Sequence, residues 1–274
     1  HGDIYTALVA SGVLDALLER GYRYAMTSNS DNLGAAPSAR IAGWFAASGA
    51  PYAPEVCRRT PADVKGGHLA VRRSDGRIIL RDTAQTPPEQ MRYFTDQFRH
   101  PFFHTNNLWF DLEVLRDTLV ERGGILGLPL IRNEKTVDPS DPASTPVIQM
   151  ETAMGAAVEA FEGAAAVEVP RSRFLPVKTT NDLLLVRSDV YEVDDDGLLR
   201  MVPERACTVN LDPRFYKKIQ DFEVRFPDGV PSIKDARSLT VDGDWTFGAD
   251  VVATGEARVE EEGSPGRIAD GTRI

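Results

Sequence analysis

LTVDGDWTFGADVVATGEARV, residues 239–259, repeats every six residues. Leu239, Trp245, Val251 and Ala257 form one column, and Val241, Phe247, Ala253 and Val259 form a second. Gly243, Gly248 and Gly255 punctuate the turns. Short strands with one period and two apolar columns stack coil on coil, so this stretch reads as a short parallel β-helix. The same residues also fit a plain meander of hairpins. After Glu260 the chain becomes charged and Gly-rich and reads as frayed.

Upstream, PDGVP at 227–231 has the composition of a junction. It divides the chain into a larger domain, residues 1–226, and the β-helix, residues 235–274. In the larger part, periods of two and of 3.6 alternate. Apolar residues at helical spacing fill 4–20 and stop at Gly21, and 38–47, 88–98, 111–122 and 151–162 also predict helices. Strands are predicted at 22–27, 52–58, 68–82, 126–131, 167–169 and 183–186, with Ser74-Asp75-Gly76 as a hairpin turn. Strands alternating with helices define an α/β class.

Composition narrows the function. Of 274 residues, 42% are hydrophobic and the formal net charge is -10. An acidic chain is a poor match to nucleic acid, whose phosphates need basic faces. No apolar run approaches the roughly 18 residues of a membrane span. Cys57 and Cys207 have no metal-ligand spacing and read as reduced buried thiols of a cytoplasmic protein.

Four polar segments stand out. Ser28-Asn29-Ser30-Asp31-Asn32 ends a predicted strand, where α/β folds bind ligands. A carboxylate among amides there suits Mg²⁺ and hydroxyls, and equally a turn capping the next helix. TPADVKGG at 60–67 reads as a phosphate or sugar approach, or as a hairpin turn carrying a surface lysine. FHTNNLW at 103–109 sets amides beside aromatics, a pairing that reads sugar hydroxyls and that also serves structural hydrogen bonding in a loop. Arg171, Arg173 and Lys178 gather positive potential in an acidic chain, as a polyphosphate site or as a solvated run. Glu151 opens the predicted 151–162 helix, where the helix dipole favours a carboxylate. No nucleophile–base pairing, zinc spacing or P-loop is evident.

Six strings occurring in order carry more than any one alone. They are HGDIY (1–5), SNSDNLGA (28–35), ADVKGG (62–67), TNNLW (105–109), QMETAMGAA (149–157) and VPRSRFLPVKTTNDLLLV (169–186). Through them, over residues 1 to about 260, the chain resembles the eukaryote-type UTP–glucose-1-phosphate uridylyltransferases, or UDP-glucose pyrophosphorylases. The resemblance implies a Rossmann-like, glycosyltransferase-A-like nucleotidyltransferase domain followed by a left-handed β-helix. It implies Mg²⁺ and the reversible conversion of UTP and glucose 1-phosphate into UDP-glucose and pyrophosphate. On matching positions it implies Asp31 as metal ligand, with Asp31 and Lys178 in catalysis. It places His1 beside the sugar phosphate and Gly2 with it, Asn29, Ser30 and Asp31 at ribose and sugar phosphate, and Asn106 on glucose hydroxyls. Glu151 and Lys178 complete the implied substrate set.

Three departures from the family pattern matter. Asp82 stands where the family usually has Glu, and His104 where it usually has Asn. The family's Gly-rich phosphate loop precedes the position of His1. The chain is therefore read as cut from a longer protein, and on that reading the 274 residues alone form no UDP-glucose. Competing expectations are a pyrophosphorylase for another sugar 1-phosphate, such as N-acetylglucosamine or galactose, and a non-catalytic binder that assembles into a homo-oligomer through the β-helix.

Overall fold

A computed structural model describes residues 1–60, 63, 66–139 and 141–274. Lys65 and half of the TPADVKGG stretch (61, 62, 64 and 65) lie outside the described residues. The chain forms two compact units, one of residues 1–29 and 37–171, the other of 30–36 and 172–274. Residues 227–231 fall inside the second. Among the described residues no helix is long and apolar enough to cross a membrane.

The first unit is built on a four-stranded mixed sheet in the order Tyr24–Thr27, Phe102–Asp111, Tyr52–Arg58, Val167–Glu168. Phe102–Asp111 runs antiparallel to both of its neighbours, and the last strand runs parallel to Tyr52–Arg58. Six consecutive residues of Tyr52–Arg58 are buried, as expected of a strand covered on both faces. Helices pack on it because their ends are well specified. The Asp111 side chain accepts from Glu113 and Val114 N–H and so caps Leu112–Glu121. Ser38 caps Ala39–Ser48 in the same way. The single helix expected over 4–20 is two, Ile4–Ala10 and Val13–Glu19, because Gly12 takes φ 73° between them. The core they close contains Tyr5, Leu14, Tyr52, Phe110, Leu115 and Phe161, with Tyr52 stacked on Phe161 at 5.2 Å.

Three expectations for this unit change. The 103–109 segment is not a loop but part of the central strand. The 126–131 strand is displaced to Leu130–Thr136, which pairs antiparallel with Pro146–Thr152. Glu151 lies in that second strand and opens no helix. The Gly/Ala run that follows forms a 3-10 helix, Met154–Ala160, buried over its first five residues, where small side chains allow close packing.

In the second unit, Leu183–Val186, expected as a strand, belongs to the helix Thr180–Arg187. A run of four apolar residues fits either period, and the deciding signal stands before it. Thr179 accepts from Asp182 N–H while Asp182 accepts from Thr179 N–H, a capping box that starts the helix. Parallel ladders dominate the rest. Thr208–Leu211 pairs with Ala236–Val241, which pairs with Gly255–Val259. Trp245–Phe247 pairs with Gly266–Ile268, and Ser232, Val252 and Arg273 form a line of single parallel bridges. Seven of the eight residues in the two sequence columns are buried, and Trp245 is partly so. Phe222, Phe226 and Phe247 pack ring to ring, 4.7 and 4.9 Å between centroids.

Candidate functional site

In the first unit, Asn29 follows the end of Tyr24–Thr27 and is reached by Asn106. Asn106 Nδ2 donates to Asn29 Oδ1 at 2.8 Å. Asn106 gets there through an irregularity in the central strand. Pro54 pairs with Leu108 and Val56 with His104, so two steps of one strand face four of the other. The surplus is accommodated at Thr105–Asn107, with Asn106 at φ 64°, in the left-handed region that asparagine tolerates better than most residues.

The bulge is held from below by a buried carboxyl group. Glu55, fully buried, accepts from Asn107 Nδ2 at 3.0 Å and from Trp109 Nε1 at 2.9 Å, while its carbonyl accepts from Thr105 Oγ1. His104 holds the bulge from the side, its Nδ1 accepting the Asn106 N–H at 3.0 Å. Burial pushes the His104 pKa down to about 4, so the ring is neutral near pH 7.

Gly155 closes the cluster. A Cβ there would stand 2.6 Å from His104 Cε1, 2.9 Å from His104 Nε2 and 3.2 Å from Asn106 Oδ1, so a larger residue would have to displace them. The segment before it is tied down at several points. Met154 O lies 2.9 Å from Tyr5 Oη and 3.1 Å from Tyr52 Oη, and the two hydroxyls are 2.8 Å apart. Burial holds both phenols protonated, well above the ordinary tyrosine range. The Gly2 N–H donates to Thr152 O at 2.8 Å, and a side chain on Gly2 would collide with that of Thr152. HGDIY, TNN and ETAMG, separate in sequence, therefore converge on Thr152–Gly155. His1 itself is exposed. Glu151 is engaged elsewhere, its Oε1 accepting from Asn133 Nδ2 across the hairpin.

In the second unit, Asp31 and Lys178 are set side by side. Asp31 O accepts the N–H of Val177 at 2.9 Å, and Asn32 bridges Pro176 antiparallel. Asn32 acts as the stitch. Its Oδ1 accepts from Leu175 and Gly34 N–H and its Nδ2 donates to Arg173 O. Asp31 Oδ1 is buried and has no hydrogen-bond partner. Lys178 and Ser30 are exposed. Of the other cations in the run, Arg171, which belongs to the first unit, forms a bidentate pair with Asp63 at 2.7 and 3.0 Å, and Arg173 donates to Ala36 O. Both are occupied by the protein's own oxygens.

Among the described residues no group of three or more His, Cys, Asp or Glu could hold a metal. A single orphaned carboxylate oxygen is nonetheless a fit for Mg²⁺. That ion commonly takes one or two carboxylates and completes its shell with water and substrate phosphates.

Sequence reading missed Tyr52 and Glu55, and gave Tyr5, Asn32 and Gly155 no role of their own within the strings that contain them. Glu55 alone left a signal, a carboxylate inside an otherwise apolar strand. The others became legible only through contacts distant in sequence.

Solved structures share this architecture. A variant of the UDP-glucose pyrophosphorylase from Leishmania major in complex with UDP-glucose is 46% identical with a TM-score of 0.85, covering 100% of this chain and 60% of that one. A UDP-glucose phosphorylase from Trypanosoma brucei is 45% identical with a TM-score of 0.87, covering 100% and 59%. The fold is thus of the α/β nucleotidyltransferase class. The family model of UTP--glucose-1-phosphate uridylyltransferase matches residues 1–253, and the chain belongs to that family. The Solanum tuberosum enzyme of that name is 41% identical over 279 residues, covering 100% of this chain and 56% of its own length. The one from Saccharomyces cerevisiae is 40% identical over 258 residues, covering 93% and 50%. The chain spans about half the length of these curated relatives.

Proposed function

We propose that this chain carries the sugar-binding and metal-binding parts of a Mg²⁺-dependent UTP–glucose-1-phosphate uridylyltransferase. The observation that carries the reading is its similarity, over its whole length, to a structure that holds UDP-glucose. The reaction is in-line attack by a phosphate oxygen of glucose 1-phosphate on the α-phosphorus of UTP, with pyrophosphate leaving. No covalent intermediate on the protein is required, so positioning and charge neutralisation are most of the task.

The residues divide that work. Asn29 and Asn106 present amides to hexose hydroxyls, with His1 and Gly2 at the neighbouring edge and Ser30 beside the sugar phosphate. Lys178 places a mobile ammonium against the phosphates. Asp31 holds the metal, which supplies positive charge to the transferring phosphoryl group. Glu151 supports the substrate side through its hairpin. The domains on this reading are 1–226 and 235–274, the parallel ladders forming a left-handed β-helix that serves as a surface for self-association. The protein acts in the cytoplasm on small phosphorylated ligands.

The test is a coupled pyrophosphate-release assay on the full-length protein with UTP, glucose 1-phosphate and Mg²⁺. Asp31→Asn is expected to lower turnover roughly a hundredfold or more, the scale of losing one preorganised charge-stabilising group. Near-normal turnover at saturating Mg²⁺ removes Asp31 from the metal site. A second reading, a different sugar 1-phosphate, draws on His104 beside Asn106 and is separated by the same assay run with N-acetylglucosamine 1-phosphate and galactose 1-phosphate.

A further inference from the structure

We propose that His104 is a specificity-determining residue whose Nε2–H donates to one hydroxyl of the hexose, a hydroxyl that Asn106 Oδ1 reads from the other side. The assignment rests on the sugar-nucleotide reading above.

The tautomer follows from the geometry. Nδ1 accepts the backbone N–H of Asn106, so it carries no proton. The hydrogen of the neutral ring is then on Nε2. That atom is buried and has no hydrogen-bond partner. A buried donor left without an acceptor is a cost the folded protein carries until something supplies an oxygen. The low pKa of the ring keeps Nδ1 unprotonated, and so able to accept, across the neutral range.

Position then indicates the ligand group. Nε2 and Asn106 Oδ1 both border Gly155, 2.9 and 3.2 Å from where a Cβ would stand, so no more than 6.1 Å separates them, a gap that one oxygen can bridge. One is a donor and the other an acceptor. A hydroxyl is the small group that accepts from the first and donates to the second at once. A carbonyl satisfies only His104, and an ammonium only Asn106. Asn106 in turn is aligned by Asn29 through its amide, so the pair of groups is oriented before any ligand arrives.

The test uses this chain with UDP-glucose and its 2-, 3-, 4- and 6-deoxy analogues, titrated calorimetrically. His104→Asn retains an acceptor for the Asn106 N–H and shortens the reach of the donor. It is expected to weaken UDP-glucose about tenfold, the scale of one hydrogen bond, and to leave unchanged the one deoxy analogue that the unmodified chain already binds poorly. The other analogues should weaken along with UDP-glucose. Equal weakening of all five ligands, or none, overturns the assignment while leaving the functional reading intact. If the unmodified chain binds none of the five, both fall. Should His104→Asn fail to fold, ¹⁵N imidazole spectra of the unmodified chain decide. The His104 Nε2–H resonance should shift and exchange more slowly on saturation with UDP-glucose, and an unmoved resonance overturns the proposal.

Discussion

His104 also couples the site to acid stability. Burial lowers its pKa from 6.5 to about 4, and that of His68, stacked on His100 at 3.9 Å, to about 3. Between these values and 6.5 the unfolded chain binds more protons than the folded one, so stability falls as pH drops through that window. Urea midpoints measured from pH 7 down to pH 4 should decline, and His104→Asn should flatten the decline without abolishing it. Gly155→Ala is expected to leave the melting temperature within a few degrees, because the Cβ meets a ring edge that can shift. It should weaken sugar-nucleotide binding by roughly tenfold or more, since His104 and Asn106 must both move. At this scale the sequence was informative about residue type and silent about partners. The TNN string marks an amide-rich site, yet the positive φ at Asn106 and the proton placement on His104 depend on neighbours that only folding supplies.

The central element is the bulged strand Phe102–Asp111, and its support is Glu55. Glu55→Gln leaves one of two buried donors, Asn107 Nδ2 or Trp109 Nε1, facing an NH₂ group. The expected cost is about 1–3 kcal/mol of unfolding free energy. Chemical denaturation measures it, and amide shifts of residues 104–108 report whether the bulge loosens with it. An unchanged midpoint would mean that the carboxylate is dispensable to the strand. Elements with strong local signals were readable. The 74–76 turn sits between His68–Val71 and Ile78–Arg81 as expected, and the Tyr24–Thr27 strand stops where its polar tail begins. Those without local signals were not. Leu183–Val186 is apolar in a way either period accepts, and the capping box at Thr179 outweighs it. Residues 103–109 look loop-like because the bulge places polar side chains in a strand that otherwise reads as buried.

On the scale of the molecule, the six-residue columns predicted the burial of the C-terminal segment well, because a repeat specifies its own neighbours. The interleaving of residues 30–36 with 172–274 had no such signal, since it rests on single backbone contacts such as Val177 N–H to Asp31 O. Removing residues 235–274 takes the ladder partner from Thr208–Leu211 and Phe247 from the Phe222–Phe226 cluster. Hydrogen exchange should then show loss of protection across 208–226, while Tyr24–Thr27, Tyr52–Arg58 and Phe102–Asp111 keep theirs. Loss of protection throughout would mean that the first unit does not fold without the second. The ladders pair Leu239 with Ala257, Trp245 with Gly266 and Val252 with Arg273, 18 to 21 residues apart, and Val209 with Leu239, 30 apart. On the β-helix reading proposed above, each circuit of chain would advance the stack by about 4.8 Å, the spacing between neighbouring strands. Such a stack is a ruler: an insertion of one whole circuit lengthens it by a single graduation and leaves every inward residue in its column, whereas an insertion of half a circuit puts the marks out of step along its entire length.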